Sequence, residues 1–240
     1  MLKGNPIAFC LPVEAPAFSV AKVDSDHFVA TDGRERVLYL FSSPGKFTEA
    51  IPTPRVYETV TPMGDNGYLA LANRSCRRFA SRAYVLNRDF EEIGCADLSA
   101  EDPCEALVDI YCEPDGTVLA AYENSLCRVS LCDNRQEILR NNTAVPIFHV
   151  ASGNEFIAVH HRSRRGDLLT IRNGEETYAG SVLGRLVLRD LIPLENDTLY
   201  GLFGFRYRYN YLLPVYTNGT ITLPAEEELL CFLQNISPRS

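Results

Sequence analysis

The stretch Val60-Thr-Pro-Met-Gly-Asp-Asn-Gly-Tyr-Leu-Ala70 sets an apolar residue, a glycine-bounded turn, two bulky apolar residues and a small one within eleven positions. The same order, with seven residues between the first apolar residue and the bulky pair, recurs along the chain. The other copies are Val20 with Phe28-Val29-Ala30, Ile110 with Val118-Leu119-Ala120, Phe148 with Phe156-Ile157-Ala158, and Leu191 with Leu199-Tyr200-Gly201. Their small residues stand 40, 50, 38 and 43 positions apart, so one unit of about 43 residues repeats five times. A period of that length is typical of propellers and solenoids, in which a unit buries its faces only against its neighbours.

Two turns punctuate each unit. The first precedes the bulky pair: Asp24-Ser25-Asp26, Gly64-Asp65-Asn66-Gly67, Pro114-Asp115-Gly116, Gly153-Asn154 and Glu195-Asn196-Asp197. The second follows the small residue by 14 to 17 positions: Pro44-Gly45, Asn87-Arg88-Asp89, Asn134-Arg135, Asn173-Gly174 and Asn218-Gly219. Such residues tolerate the positive φ of tight hairpins. Between the turns lie the apolar segments Val37 to Phe41, Ala83 to Leu86, Leu126 to Leu131, Leu168 to Ile171 and Leu212 to Tyr216. Each unit therefore holds four short strands, A to D.

Strand B is a continuous apolar run, as in Tyr68-Leu-Ala-Leu-Ala72 or Phe156-Ile-Ala-Val159, so both of its faces are covered. A two-sheet sandwich predicts alternation and no fixed period. From about residue 17 to 223 the pattern resembles a β-propeller, an all-β fold, here expected as five four-stranded blades over 17–51, 56–94, 106–140, 147–180 and 187–223 within one domain of residues 1–240. The resemblance is to the repeat architecture and to no particular family: with no Trp there is no WD dipeptide, and no Gly-Gly pair marks a kelch repeat. Ile7 to Leu11 and Leu229 to Leu233 read as spare strands that latch the ring or build a rudimentary sixth blade.

The composition, 46% hydrophobic and 22% charged, is that of a globular protein with a full core. Pro6, Pro12 and Glu14 interrupt the apolar residues near the N-terminus, and no apolar run reaches membrane-spanning length. The expected location is cytoplasmic, with no membrane partner. The eight cysteines form no Cys-x-x-Cys pair and no zinc spacing, which predicts free thiols. No motif calls for a cofactor or a metal.

In a propeller the B–C turns share one face with the D-to-A links. Those turns carry Arg34, Arg36, Arg74, Arg77, Arg78, Arg82, Arg162, Arg164, Arg165, Arg206 and Arg208, which is 11 of the chain's 23 Lys+Arg, in a protein of formal charge −8. Arginine outnumbers lysine twenty to three, which favours bidentate contact with carboxylate or phosphate. Tyr207, His160 and His161 stand among these arginines. The plainer reading is that hairpin tips are wet and charged and pair with acids of the D-to-A links. Nucleic acid is an unlikely partner for a chain of pI near 5.1. Between Phe203 and Tyr211 aromatics alternate with Gly204, Arg206, Arg208 and Asn210, which suits either a sugar platform or packing between blades.

Strand A should be innermost. Just before its shared apolar position stand Ser19, Thr59, Asp109, Ile147 and Asp190, with Glu58 one step earlier; His149 also lies in a strand A. Carboxylates at one channel mouth, Glu58, Asp109 and Asp190, suit acid–base hydrolysis or a hard cation, but no ligand spacing singles them out and the plainer reading is a solvated channel wall. Three function classes follow. The leading one is a noncatalytic binding module whose arginine-rich face takes an acidic protein segment or another anionic ligand. The others are a lectin-like carbohydrate binder and a small hydrolase or lyase working at the channel mouth.

Overall fold

The computed structural model describes residues 7–43, 45–72, 82–98, 106–113, 115–132, 135–140, 147–152, 156–161, 168–172, 175–179, 187–195, 198–205, 209–217 and 220–221. Side chains are described through residue 139 of these, and again in 188–192, 199–204 and 209–215.

A short strand β1 (Ile7–Phe9) precedes four consecutive four-stranded antiparallel sheets. The first is β2 (Ser19–Lys22), β3 (His27–Thr31), β4 (Val37–Ser42) and β5 (Lys46–Pro52). The second is β6 (Tyr57–Pro62), β7 (Tyr68–Ala72), β8 (Arg82–Leu86) and β9 (Glu92–Asp97). The third is β10 (Leu107–Cys112), β11 (Thr117–Tyr122), β12 (Leu126–Ser130) and β13 (Gln136–Arg140), and the fourth β14 (Ile147–Ser152), β15 (Phe156–His161), β16 (Leu168–Arg172) and β17 (Glu175–Ala179).

The last sheet corrects the expectation of five four-stranded blades: four blades are four-stranded, and this sheet has five strands. Strands β18 (Val187–Glu195), β19 (Thr198–Phe205) and β20 (Tyr209–Thr217) pair in order, and both β1 and β21 (Thr220–Ile221) lie on β20. The physical reason is the length of β21, two residues, which pair only with Tyr216 and Thr217. The rest of that edge is occupied by β1, where Ile7, Ala8 and Phe9 face Leu212, Tyr211 and Asn210. Pairing the first described strand with the last full one joins distant ends of the chain and satisfies an otherwise bare sheet edge. Ile7 to Phe9 is thus the latch; Leu229 to Leu233 lies outside the described residues.

The innermost strands pack side by side in the cyclic order β2, β6, β10, β14, β18 and back to β2. Small residues of the second strands allow neighbouring sheets to approach: Ala30, Ala70 and Ala120 are buried and pair in register with Val20, Val60 and Ile110. Leu69, Leu71 and Leu98 of the second blade pack against Ile110 and Val118 of the third. At the latch, Phe9 meets the rings of Phe28 and Phe41 at centroid distances of 5.2 and 5.0 Å. Gly67 shows how tight the turns are: it has φ +122°, and a Cβ there would lie 2.1 Å from the Leu86 carbonyl oxygen.

The fourth blade departs from the sequence alignment. Phe148 matches in the repeat the residues Val20, Val60 and Ile110 that pair with Ala30, Ala70 and Ala120, but Ala151 faces Ala158 and Val150 faces Val159, with the register shifting between Ile147 and His149.

Candidate functional site

Bulges set the geometry of the inner wall. In β6, β10, β14 and β18 the register shifts at the same place, with Glu58, Val108, Phe148 and Arg189 as the extra residues. Directly after the shift stand Thr59, Asp109, His149 and Asp190, and Ser19 holds the corresponding place in β2. His149 therefore takes the position that the sequence reading gave to Ile147. The five residues following the cyclic order of strands are Ser19, Thr59, Asp109, His149 and Asp190.

Polar side chains of this ring tie each inner strand to the next. Asp190 Oδ2 accepts the amide of Val20 at 3.1 Å, while its Oδ1 accepts that of Leu191 at 2.9 Å. Ser19 Oγ accepts the Val60 amide at 3.3 Å, and Thr59 Oγ1 donates to Asp109 Oδ1 at 2.9 Å. Two residues further along β6, Thr61 Oγ1 accepts the Cys112 amide at 3.4 Å. Short polar side chains at this place thus bridge the last blade to the first, the first to the second and the second to the third.

Asp109 and Asp190 are buried, with relative exposures of 1% and 5%. Burial first, and the Asp109 charge next, push the Asp190 carboxyl up to about 8; the Ser19 hydroxyl and the Val20 and Leu191 amides act against the rise. Glu58 is also buried and occupies the bulge before Thr59. Of the three carboxylates chosen from sequence, Asp190 alone lines the channel cavity, with the Asp109 charge near enough to raise its proton affinity. The channel cavity, walled by Val60, Ile110 and Leu191, has a volume of about 40 Å³, room for a few waters and far below the roughly 300 Å³ at which small-molecule sites begin. Among the described residues, no group of three or more His, Cys, Asp or Glu is placed to hold a metal ion.

Of the arginine-rich turns, only the first is described in full. Arg34 and Arg36 are exposed there, and Asp32 Oδ1 caps the turn by accepting the Arg34 and Glu35 amides, each at 2.9 Å. Arg82, at the start of β8, is exposed. Arg74, Arg77, Arg78, Arg162, Arg164, Arg165, Arg206, Arg208 and Tyr207 lie outside the described residues. His160 and His161 end β15, where only the backbone is described. Phe203 pairs with Tyr211, Gly204 with Asn210 and Phe205 with Tyr209, so these residues belong to strands. Phe203 and Tyr211 are buried, so these two rings are packing. Asn210 is buried too, and its Oδ1 accepts the Ala17 amide at 2.8 Å.

The comparisons give the architecture its context. No family model and no curated protein matches the chain. It is similar to a streptogramin B lyase structure at 10% identity, TM-score 0.56, covering 88% of this chain and 97% of that one. It is similar to a catalytically inactive virginiamycin B lyase from Staphylococcus aureus with quinupristin at 10% identity, TM-score 0.53, covering 85% and 68%. A protein of unknown function from Bacteroides caccae matches at 14% identity, TM-score 0.51, covering 77% and 69%. The fold is a β-propeller. At such identities the likeness concerns architecture alone.

Two arginines of the propeller escaped the sequence reading. Arg189, at the bulge beside Asp190, lies over Gly204, where a Cβ would fall 2.2 Å from the Arg189 Nε; Gly204 pairs with Val187 and Arg189 is the extra residue of the bulge, so no sequence spacing signalled the contact. Arg55, in the link from β5 to β6, binds Glu92 through Nε at 2.8 Å and a terminal nitrogen at 3.0 Å and lies 4.0 Å over the Tyr84 ring. Tyr57 donates its hydroxyl to the same carboxylate at 3.0 Å.

Proposed function

We propose that this chain is a noncatalytic interaction module, a single cytoplasmic propeller domain, whose arginine-rich B–C face takes an acidic protein segment. The observation that carries the reading is the cyclic order of the inner strands, in which every second strand is followed by a B–C connection at one end of the ring. That order supports treating Arg77, Arg78, Arg164, Arg165, Arg206 and Arg208, far apart in sequence, as one surface. The channel supports it from the other side: Asp190 already binds two backbone amides, Asp109 already accepts the Thr59 hydroxyl, and the cavity beside Asp190 has room for only a few waters. Guanidinium groups on a protein of net charge −8 attract an acidic segment locally while the rest of the surface repels it, which favours one docking face. The test is surface plasmon resonance of immobilised poly-glutamate against the parent and the double variants Arg77→Ala/Arg78→Ala and Arg164→Ala/Arg165→Ala. Capture should weaken as salt rises and fall in both variants at unchanged melting temperature. Salt-independent capture, or variants that bind like the parent at low salt, would end this reading.

A second reading, a small hydrolase or lyase at the channel mouth, rests on one observation: Asp190 has an elevated proton affinity next to Asp109. Turnover of p-nitrophenyl esters that disappears in Asp109→Asn would favour it over the first.

A further inference from the structure

On the face opposite the B–C turns, a cleft of about 340 Å³ opens between the first and second blades, within the size range of small-molecule sites. Lys22 and Asp24, at the end of β2 and in the turn after it, form one side. Asp65 and Arg88, in two turns of the second blade, form the other, with Pro62 and Tyr68 between them. Tyr68 is held from behind: its ring stacks on Phe90 at 4.5 Å with an interplanar angle of 22°. Burial raises the Tyr68 hydroxyl to about 12, and Asp24 adds to the rise while Arg88 opposes it. The phenol therefore stands between the acid of one blade and the base of the next.

The charges of this cleft balance and are already engaged. Arg88 Nε donates to the Asp65 carbonyl at 2.9 Å, and its guanidinium approaches the Asp65 carboxylate at 3.5 Å. Asp24 Oδ1 accepts the Asp26 and His27 amides at 2.7 and 2.8 Å, and both its oxygens lie 3.0 Å from His27 Nδ1. A charged ligand would have to displace these partners, whereas a hydroxyl group adds to them: a carboxylate has about four acceptor sites and a guanidinium about five donors. The Tyr68 hydroxyl both donates and accepts. Donors and acceptors set side by side without surplus charge, over the apolar edge of Pro62, suit vicinal hydroxyl groups.

We propose that this cleft is a binding site for a neutral polyhydroxylated ligand of monosaccharide or disaccharide size. It is separate from the arginine-rich face and stands without the interaction reading given above. The experiment is titration of the purified protein with glucose, galactose, mannose, N-acetylglucosamine, maltose and lactose, read by saturation-transfer NMR and calorimetry. Galacturonate, glucose 6-phosphate and glucosamine serve as charged counterparts. At least one neutral sugar should bind in the millimolar range. Affinity should fall about tenfold in Lys22→Met and in Arg88→Gln, two independent variants at the cleft edge whose melting temperatures should match the parent. The proposal is overturned if no neutral sugar binds, if a charged counterpart binds more tightly than its neutral parent sugar, or if both folded variants bind as the parent does.

Discussion

Replacing Asp190 by asparagine should change how stability depends on pH more than it changes stability itself. The unfolded carboxyl ionises near pH 4, whereas the folded one, desolvated and beside Asp109, keeps its proton up to about 8. A group whose folded pKa is raised stabilises fully below its unfolded pKa, and that contribution is lost as pH rises through the folded value. One retained proton corresponds to a slope of up to about 1.4 kcal/mol per pH unit, so the parent should lose roughly 2–3 kcal/mol between pH 5 and pH 7 from this residue. Asp24, Asp26 and Asp115 have lowered pKa values and act below this window, where their contributions vanish on acidification. The asparagine side chain carries no such proton but offers one acceptor oxygen to two amides, Val20 and Leu191, now held by separate oxygens. One amide is left facing a donor, at a cost of about 1–3 kcal/mol. The variant should therefore be less stable at pH 5, and the gap should narrow by roughly 2–3 kcal/mol by pH 7, or about 4–12 °C in melting temperature for a domain of this size. Urea unfolding is followed by tyrosine fluorescence, since the chain has 12 Tyr and no Trp. A parent-minus-variant difference that stays constant from pH 5 to pH 7 would refute the assignment of a retained proton to Asp190.

Three further outcomes follow from packing and exposure. Ala120→Leu, in a fully buried second strand, should destabilise by about 1–3 kcal/mol in urea unfolding, and a change near zero would mean that neighbouring sheets are farther apart there than the structure has them. Phe9→Ala, which removes the ring packed edge-on against the stacked Phe28 and Phe41, should cost about 3–5 kcal/mol and separate β1 from β20, read by hydrogen exchange at Ile7 to Phe9; unaltered protection would show that the latch does not depend on this ring. Native-state labelling with a thiol reagent should modify exposed Cys95 and Cys132 quickly and Cys112 only on unfolding, because Cys112 is buried and burial lifts its thiol to about 11; rapid loss of the Cys112 thiol would contradict that placement.

The propeller itself was legible in the sequence because its unit is local. Val20, Val60, Ile110 and Leu191 each meet their small partner across one short hairpin, so turn residues and apolar runs fix that pairing without knowledge of the rest of the chain. The same locality failed in the fourth sheet: Phe148 and Ala158 match the pattern, yet Ala151 pairs with Ala158, and the register shift after Ile147 gives His149 the strand position held by Thr59 and Asp109. The carboxylates Asp109 and Asp190 were found from their strand position, while their roles were not, since the donors they meet, Thr59 and Val20, lie 50 and 170 positions away. Closure shows the same division. Sequence offered two terminal segments as possible latches, and only the packing of Phe9 against the stacked Phe28 and Phe41, with a two-residue β21 leaving the β20 edge open, decided for Ile7 to Phe9. Local periodicity determined the strands and their order, because hairpin pairing is a contact between sequence neighbours. Ring closure, the hydrogen-bonded seam and the cleft between the first two blades came from contacts between blades, whose energies depend on register and distance that no single repeat encodes.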